Sequence, residues 1–320
     1  MVRPVTRALI EDAHRYSATY RGGFASHLPM GLVALDAMGA SEAELGRFSR
    51  ANVGKLEPIG AAEAERVRAL EQRLRAEGLE KVFAESAMPL AAGLGSAAFH
   101  GAIRLAYALE SEIDAEVAHA LAYWLATLTP LPECTVPIGG EAPAQVLQAI
   151  SRDPEHGGRR PPGPSIAKRM DDAARGPAFA GFVARLSPAF LHVDALAQGL
   201  IQAYAATGDF TLLHGVTGCH AFGKLLPLFP NQLHATCCAW TAFAAAYMAS
   251  GSPAIEGFAL EGDDSLAWPG IHQLAARCDD EHDVKLAYTC WREWQRTGED
   301  IYRRAASARV SHATVDQGVH

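Results

Sequence analysis

The sequence predicts an all-α protein, a single large helical bundle whose site lies between helices. Alanine is abundant and runs of β-branched residues are scarce, which favours helix over strand. Apolar residues recur at spacings of three and four, the period of a helix with a buried face. The sequence contains no alternating strand pattern with hairpin turns. We therefore expect one helical domain over residues 1–309, followed by a flexible C-terminal tail over residues 310–320 that has no apolar face.

Composition and charge argue against several classes of partner. The formal net charge of -8, without any basic run, argues against binding to nucleic acid. No apolar run approaches the roughly 20 residues that cross a bilayer, so we expect no membrane association. The N-terminus lacks the apolar core of a signal peptide, and the six cysteines show no CxxC spacing. We therefore expect reduced, buried thiols and a cytoplasmic protein. The sequence leaves the choice between monomer and homodimer open.

The first candidate residue is His27. After an expected surface helix over residues 6–20, Pro29 fits the first turn of a buried helix that Gly39 would end. His27 then lies at the helix start, where a positive charge is disfavoured, so a neutral imidazole able to bind a metal is expected. A turn or capping role is the alternative. A charged, exposed helix is expected over residues 63–77.

A second apolar helix carries His100 and Arg104, four residues apart. Both side chains are expected to be buried. A buried charge needs a partner, so Arg104 either pairs with an acid or faces an anionic group. His100 either belongs to a site or is a core histidine bonded to the backbone. The loop over residues 152–164 could divide two helical halves, but candidate ligands fall on both sides of it, and we favour one composite domain.

A third informative stretch follows Asp209. His214 and Thr217 are three residues apart and share a helix face, whereas His220 lies six residues on from His214 and well round the helix. We expect His214 to belong to the site and His220 to orient a ligand without touching a metal. Glycines at positions 215 and 218 permit the close approach of a neighbouring helix or a ligand.

A buried helix near the C-terminus starts within residues 279–288 and carries His282 and Lys285 one turn apart. Acidic residues crowd its first turn, where the helix dipole favours them. A solvated histidine–lysine pair is the alternative. Because an ammonium group cannot bind a metal, Lys285 would be a ligand only if deprotonated, or if CO2 converted its amine to a carbamate. The hydroxyl of Thr217 could hold such a carbamate.

Four histidines could converge in the bundle, and imidazole suits zinc, copper, iron or nickel. The sequence has no HExxH or facial-triad spacing, so spacing alone does not identify the metal. Five aromatic residues either line a pocket for a flat ring or belong to the core: Phe24, Phe99, Tyr107, Trp124 and Phe222.

Four segments, in order along nearly the whole chain, resemble the questin oxidase-like family. They are HLPMGLVALDAMGA around His27, FHGAIRLAYALE around His100, LLHGVTGCHA around His214 and DDEHDVKLAYTC around Lys285. The resemblance implies a non-haem Fe(II)-dependent oxygenase that uses O2 on a small aromatic, polyketide-like compound. Oxidative carbon–carbon ring cleavage or a Baeyer–Villiger-like oxidation would be the reaction.

The resemblance also implies the site residues. His27, His100, His214 and His282 would bind iron together with a CO2-derived carbamate on Lys285, supported by Thr217. At Arg104 the resemblance implies a further histidine instead, and fungal members are longer. We therefore expect Arg104 to act on a smaller or anionic substrate. A metal-dependent hydrolase with a carboxylated lysine, or a non-catalytic helical binding protein, are the alternatives.

Overall fold

The computed structural model describes residues 1–132 and 134–317 and is built almost entirely of helix. Its sixteen α-helices and single two-stranded ladder, counted over the described residues, confirm the all-α fold. Within that part of the chain, no helix combines the length and apolar character needed to span a membrane.

The chain forms two compact units, each assembled from separate segments. The first unit comprises Met1–Leu79, Ile103–Ala126 and the described chain from Glu261 onward. Its elements are α1 (Pro4–Ala13), β1 (Thr19–Tyr20), β2 (Phe24–Ala25), α2 (Leu28–Ala37), α3 (Glu42–Val53), α4 (Ala61–Glu77), α7 (Asp114–Ala126), α14 (Trp268–Ala275), α15 (Glu281–Thr297) and α16 (Asp300–Gln317).

The second unit comprises Glu80–Ala102 and Thr127–Leu260. Its elements are α5 (Leu79–Ala92), α8 (Pro143–Arg152), α9 (Ile166–Ala174), α10 (Phe179–Val183), α11 (Val193–Ala205), α12 (Phe210–Leu225) and α13 (Gln232–Ala249). Helix α6 (His100–Ser111) begins in this unit and ends in the first. The loop over residues 152–164 lies inside the second unit, so it is not a domain boundary. One composite domain over residues 1–309 stays a prediction.

In the first unit, α2 and α15 begin where the sequence predicts. Pro29 occupies the first turn of α2, and Gly39, at a φ of 86°, follows its C-terminal end. Asp280 caps α15 by accepting a hydrogen bond from the backbone N–H of His282 at 2.8 Å. The two helices pack against each other.

In the second unit, α12 and α13 are buried on nearly all sides. Asp209 caps α12, with its carboxylate accepting from the backbone N–H groups of Thr211 and Leu212 at 2.7 and 3.2 Å. The predicted close approach at the α12 glycines is confirmed. A Cβ built on Gly218 would lie 2.7 Å from Cγ of Phe99.

Three elements differ from the predictions. Helix α1 ends at Ala13, and the chain then forms the ladder that pairs Thr19 with Ala25, instead of continuing as helix to residue 20. At the C-terminus, α16 runs on to Gln317, and Val310 within it is fully buried. The predicted start of a flexible tail at residue 310 is therefore misplaced, because Val310 continues the apolar face of the helix. Residues 318–320 of the predicted tail lie outside the described residues.

The cysteine prediction is wrong for one pair. Cys134 and Cys238 are joined by a disulfide, with Cα atoms 5.3 Å apart across a sequence separation of 104. The other four cysteines are buried thiols, as predicted: Cys219, Cys237, Cys278 and Cys290. A pairing between positions so far apart leaves no local signal in the sequence.

The packing of Phe99 on α12 generates a prediction about stability. We expect Gly218→Ala to lower the free energy of unfolding by about 1–3 kcal/mol, because the added methyl group overlaps the buried Phe99 ring. The matched control is Gly181→Ala in α10, where a Cβ meets no atom within 4 Å. That change should be neutral or slightly stabilising. Urea unfolding of the three proteins would measure this, and equal midpoints for both variants would contradict the packing argument.

Candidate functional site

In the first unit, the structure brings His27 and His282 together. His27 is the last residue before α2 and His282 lies in the first turn of α15. Their ring centroids are 4.6 Å apart and their planes are nearly perpendicular, at 87°. His27 is only 6% exposed and its side chain makes no capping hydrogen bond, so the capping alternative is wrong. The two helix starts thus place a buried and a partly buried imidazole side by side.

His282 is oriented by the carboxylate that caps its own helix. Its Nδ1 lies 2.7 Å from Oδ1 of Asp280. Burial lowers the pKa of His282, and the nearby Lys285 charge lowers it further. Burial alone would raise the pKa of Asp280, but the hydrogen bond from His282 makes the net shift downward. A neutral ring that donates from Nδ1 keeps its lone pair on Nε2, which is the form a metal binds.

Lys285 is the most unusual residue of this unit. Its side chain is fully buried, and its Nζ has no hydrogen-bond partner among the described residues. Burial lowers the pKa of Lys285 to about 7, against the opposing charges of Glu281 and Asp280. Glu281 is itself paired with Lys55, at 2.6 Å. The solvated alternative is therefore wrong, and burial favours the uncharged form of the amine.

In the second unit, the structure brings His100 and His214 together. Their ring centroids are 4.9 Å apart, with planes inclined at 70°. Nδ1 of His214 lies 2.8 Å from the carbonyl oxygen of Phe210, and Nδ1 of His100 contacts the carbonyl oxygen of Ala97. Because a carbonyl only accepts, each ring donates from Nδ1, and the neutral form of the ring then has its lone pair on Nε2. The backbone bonds expected of core histidines are thus present.

An unusual turn positions His100 at the start of α6. Ala97, Ala98 and Phe99 have φ angles of 48°, 57° and 67°, all in the left-handed region. Each such residue costs about 1–2 kcal/mol relative to ordinary helix. The turn packs against α9 and α12 of the same unit. Strain of this kind is retained where the surroundings enforce it, which is common at functional sites. This turn was not predictable from the sequence, since alanine and phenylalanine do not favour this conformation.

Thr217 and His220 lie on α12 beyond His214. The Thr217 hydroxyl donates to the carbonyl oxygens of Leu213 and His214, at 3.1 and 3.3 Å. Its oxygen still has acceptor capacity, but its proton is engaged within the helix. His220 is buried, about 120° round the helix axis from His214. The roles of both residues stay predictions.

Arg104 is paired with an acid, one of the two predicted alternatives. Its Nε donates to Glu116 at 2.8 Å, with both side chains buried. Burial would raise the pKa of Glu116, but the Arg104 charge and a contact with His14 lower it to about 2. Nη1 of Arg104 is buried and bonds to none of the described residues. That nitrogen is the part of Arg104 that could still meet an anionic group.

Sequence reasoning missed the partners of Arg104. His14 stacks on His119 with ring centroids 4.3 Å apart, and Nε2 of His14 lies 2.9 Å from Glu116. Glu116 and His119 are three residues apart within an apolar helix, and this spacing is the sequence signal for a polar cluster on one face of that helix.

The aromatic residues proposed for a pocket are mostly core. Phe99 packs on Phe243 and Phe222 packs on Phe229, in the second unit. Tyr107 packs on Tyr288 in the first. Trp124 is fully buried as well. Phe24 is 65% exposed in the short ladder, so it is not a core residue, and a pocket role for it stays a prediction.

Comparison with known proteins identifies the family. A family model described as Questin oxidase-like matches residues 67–290, which is 224 of the 320 residues. No curated protein matches the chain significantly. The matched range contains His100, His214, His282 and Lys285, whereas His27 precedes it. Membership implies an oxidoreductase. The chain belongs to the questin oxidase-like family.

Proposed function

We propose that this chain is a non-haem Fe(II)-dependent oxygenase acting on an aromatic, polyketide-like compound. The reaction we propose is oxidative ring cleavage or a Baeyer–Villiger-like oxidation that uses O2. The metal ligands we propose are His27, His100, His214 and His282, with a carbamate on Lys285. Ferrous iron would supply the one-electron chemistry by which O2 reacts with an organic substrate.

The observation that carries this proposal is the buried amine of Lys285, which has no hydrogen-bond partner among the described residues. A protonated lysine beside a cation would be repelled, but an uncharged amine can attack CO2. The new N–C bond forms, one proton leaves to solvent, and the side chain changes from a potential cation to an anion with two oxygens. The lowered pKa of Lys285 favours this reaction. A carbamate oxygen and neutral imidazoles form a donor set suited to ferrous iron.

The other residues of the site act on the ligands. Asp280 fixes the ring orientation of His282, and the carbonyl groups of Ala97 and Phe210 do the same for His100 and His214. In this proposal the hydroxyl of Thr217 supports the carbamate, and Nη1 of Arg104 meets an anionic group of the substrate. The burial of His27 and His214 would limit the access of water to the reaction.

Removing the amine should stabilise the metal-free protein. We expect metal-free Lys285→Met to unfold with a free energy higher by roughly 1–3 kcal/mol at pH 7, because an apolar chain replaces an unbonded buried amine. The native state binds fewer protons at Lys285 than the unfolded chain between about pH 7 and the ordinary lysine pKa of 10.5. Wild-type stability should therefore rise relative to the variant across this window, and the gap should be largest below pH 7. Urea unfolding at several pH values measures the difference in the free energy of unfolding between Lys285→Met and the wild type. A difference that does not change with pH contradicts an uncharged Lys285.

Carbamate formation has a direct spectroscopic signature. We expect protein supplied with 13C-bicarbonate and Fe(II), or diamagnetic Zn(II) for the spectrum, to show one carbamate carbon resonance that Lys285→Met lacks. The control is Lys224→Ala, which removes an exposed lysine and should keep the resonance. Iron affinity should also fall in CO2-depleted buffer and recover with bicarbonate. A spectrum in which Lys285 is unmodified would remove the carbamate from the proposal.

Metal content distinguishes the proposed function from its alternatives. We expect about one iron per chain in protein purified without a histidine tag, as one site of four imidazoles predicts. His214→Ala should lose most of the iron and the O2 consumption with phenolic polyketides, whereas the exposed His192→Ala should retain both. Plasma emission and an oxygen electrode measure these quantities. Two zinc ions per chain in the oxidised protein, where Cys134 and Cys238 form the disulfide, would favour the hydrolase. No metal after anaerobic reconstitution would leave a helical binding protein.

A further inference from the structure

A second group of metal-binding atoms lies in the second unit. Cys134 precedes α8, while His234 and Cys238 are four residues apart on one face of α13. One ligand atom from each of the three residues lies within 4.8 Å of the others. Nδ1 of His234 is 4.0 Å from Sγ of Cys134, and Nε2 is 3.5 Å from Sγ of Cys238. Two sulfurs thus lie against a single imidazole.

The surroundings hold this group in place and keep it accessible. The side chain of Asn231 caps α13 by accepting a hydrogen bond from the backbone N–H of His234, at 3.0 Å. Cys238 is 3% exposed and anchors the group, whereas Cys134 and His234 are partly exposed. A solvent molecule can therefore reach the side of the group that faces away from Cys238.

The donor types select the kind of cation. Two cysteine sulfurs and one imidazole match the three-ligand zinc sites in which water takes the fourth position. Thiolates disfavour magnesium and calcium, which prefer oxygen ligands. As a disulfide, the same sulfurs carry no negative charge and bind cations poorly. The pairing of Cys134 with Cys238 therefore determines whether the group can bind a metal.

We propose that Cys134, His234 and Cys238 form a redox-gated Zn2+ site, closed as the disulfide and open as the dithiol. Two molecules of a small thiol reduce the disulfide: the S–S bond between Cys134 and Cys238 breaks and a new one forms between the reductant sulfurs. Two electrons and two protons pass to the cysteines. Zn2+ then displaces both protons to solvent and binds two thiolates, the imidazole of His234 and a water molecule.

Co2+ titration of the full chain tests the proposal. Co2+ bound to thiolate gives a near-ultraviolet charge-transfer band that sites made only of histidine and carbamate do not give. We expect no band in the oxidised protein. After phosphine reduction and removal of the reductant, the band should saturate at about one Co2+ per chain, and Zn2+ should displace it.

Variants assign the band to these three residues. Cys134→Ser and Cys238→Ala should abolish it, and Cys237→Ala, which removes the neighbouring buried thiol, should leave it unchanged. Removing a residue that only hydrogen-bonds to a metal ligand weakens metal binding about 10–100-fold. Because His234 would bind the metal directly, His234→Ala should weaken Co2+ binding at least as much. Circular dichroism checks that each variant is folded, and Cys134→Ser changes a loop residue outside the helices. No band in reduced wild type, an equal band before reduction, or unchanged affinity in His234→Ala would each overturn the proposal.

Discussion

An amine buried without a partner raises the free energy of a folded protein, and the packing around it has to offset that penalty. Around Lys285 the packing is helical on several sides: α15 contacts α2, α14 and α16. Val284, Leu286 and Ala287 are fully buried beside it. The ion pair between Asp283 and Arg309, at 2.5 Å, ties α15 to α16. These contacts keep the first turn of α15 in place, and with it the position of His282.

The histidines follow one design in both units. Three of the four proposed metal-binding histidines, His100, His214 and His282, place Nδ1 against an oxygen close in sequence: Ala97, Phe210 or Asp280. An oxygen that can only accept selects the tautomer of a neutral ring, with the proton on Nδ1 and the lone pair on Nε2. Because the partner is two to four residues away, the ring and its orienting group belong to the same turn. The choice of tautomer therefore depends on local structure.

The parts of this molecule that local rules govern were predictable from the sequence. Pro29, Asp209 and Asp280 lie at the starts of three helices, and their chemistry fixes those starts. The burial of His214 and Lys285 followed from apolar neighbours at helical spacing. The unpredicted features depend on residues far apart. The Cys134–Cys238 disulfide, the pairing of Arg104 with Glu116 and the burial of Val310 arise from tertiary packing. No propensity scale contains that information.

The left-handed turn before His100 restricts how this segment can change over evolution. At Ala97 and Ala98, glycine or asparagine would fit the positive φ with little penalty, but valine, isoleucine or threonine would collide with the backbone. Phe99 is restricted further, because its ring fills the space above Gly218. The substitutions tolerated in this turn are therefore small or amide side chains at Ala97 and Ala98 and an aromatic side chain at Phe99. Such a narrow set of tolerated residues would mark this segment in an alignment of relatives, even though none of its three side chains performs chemistry.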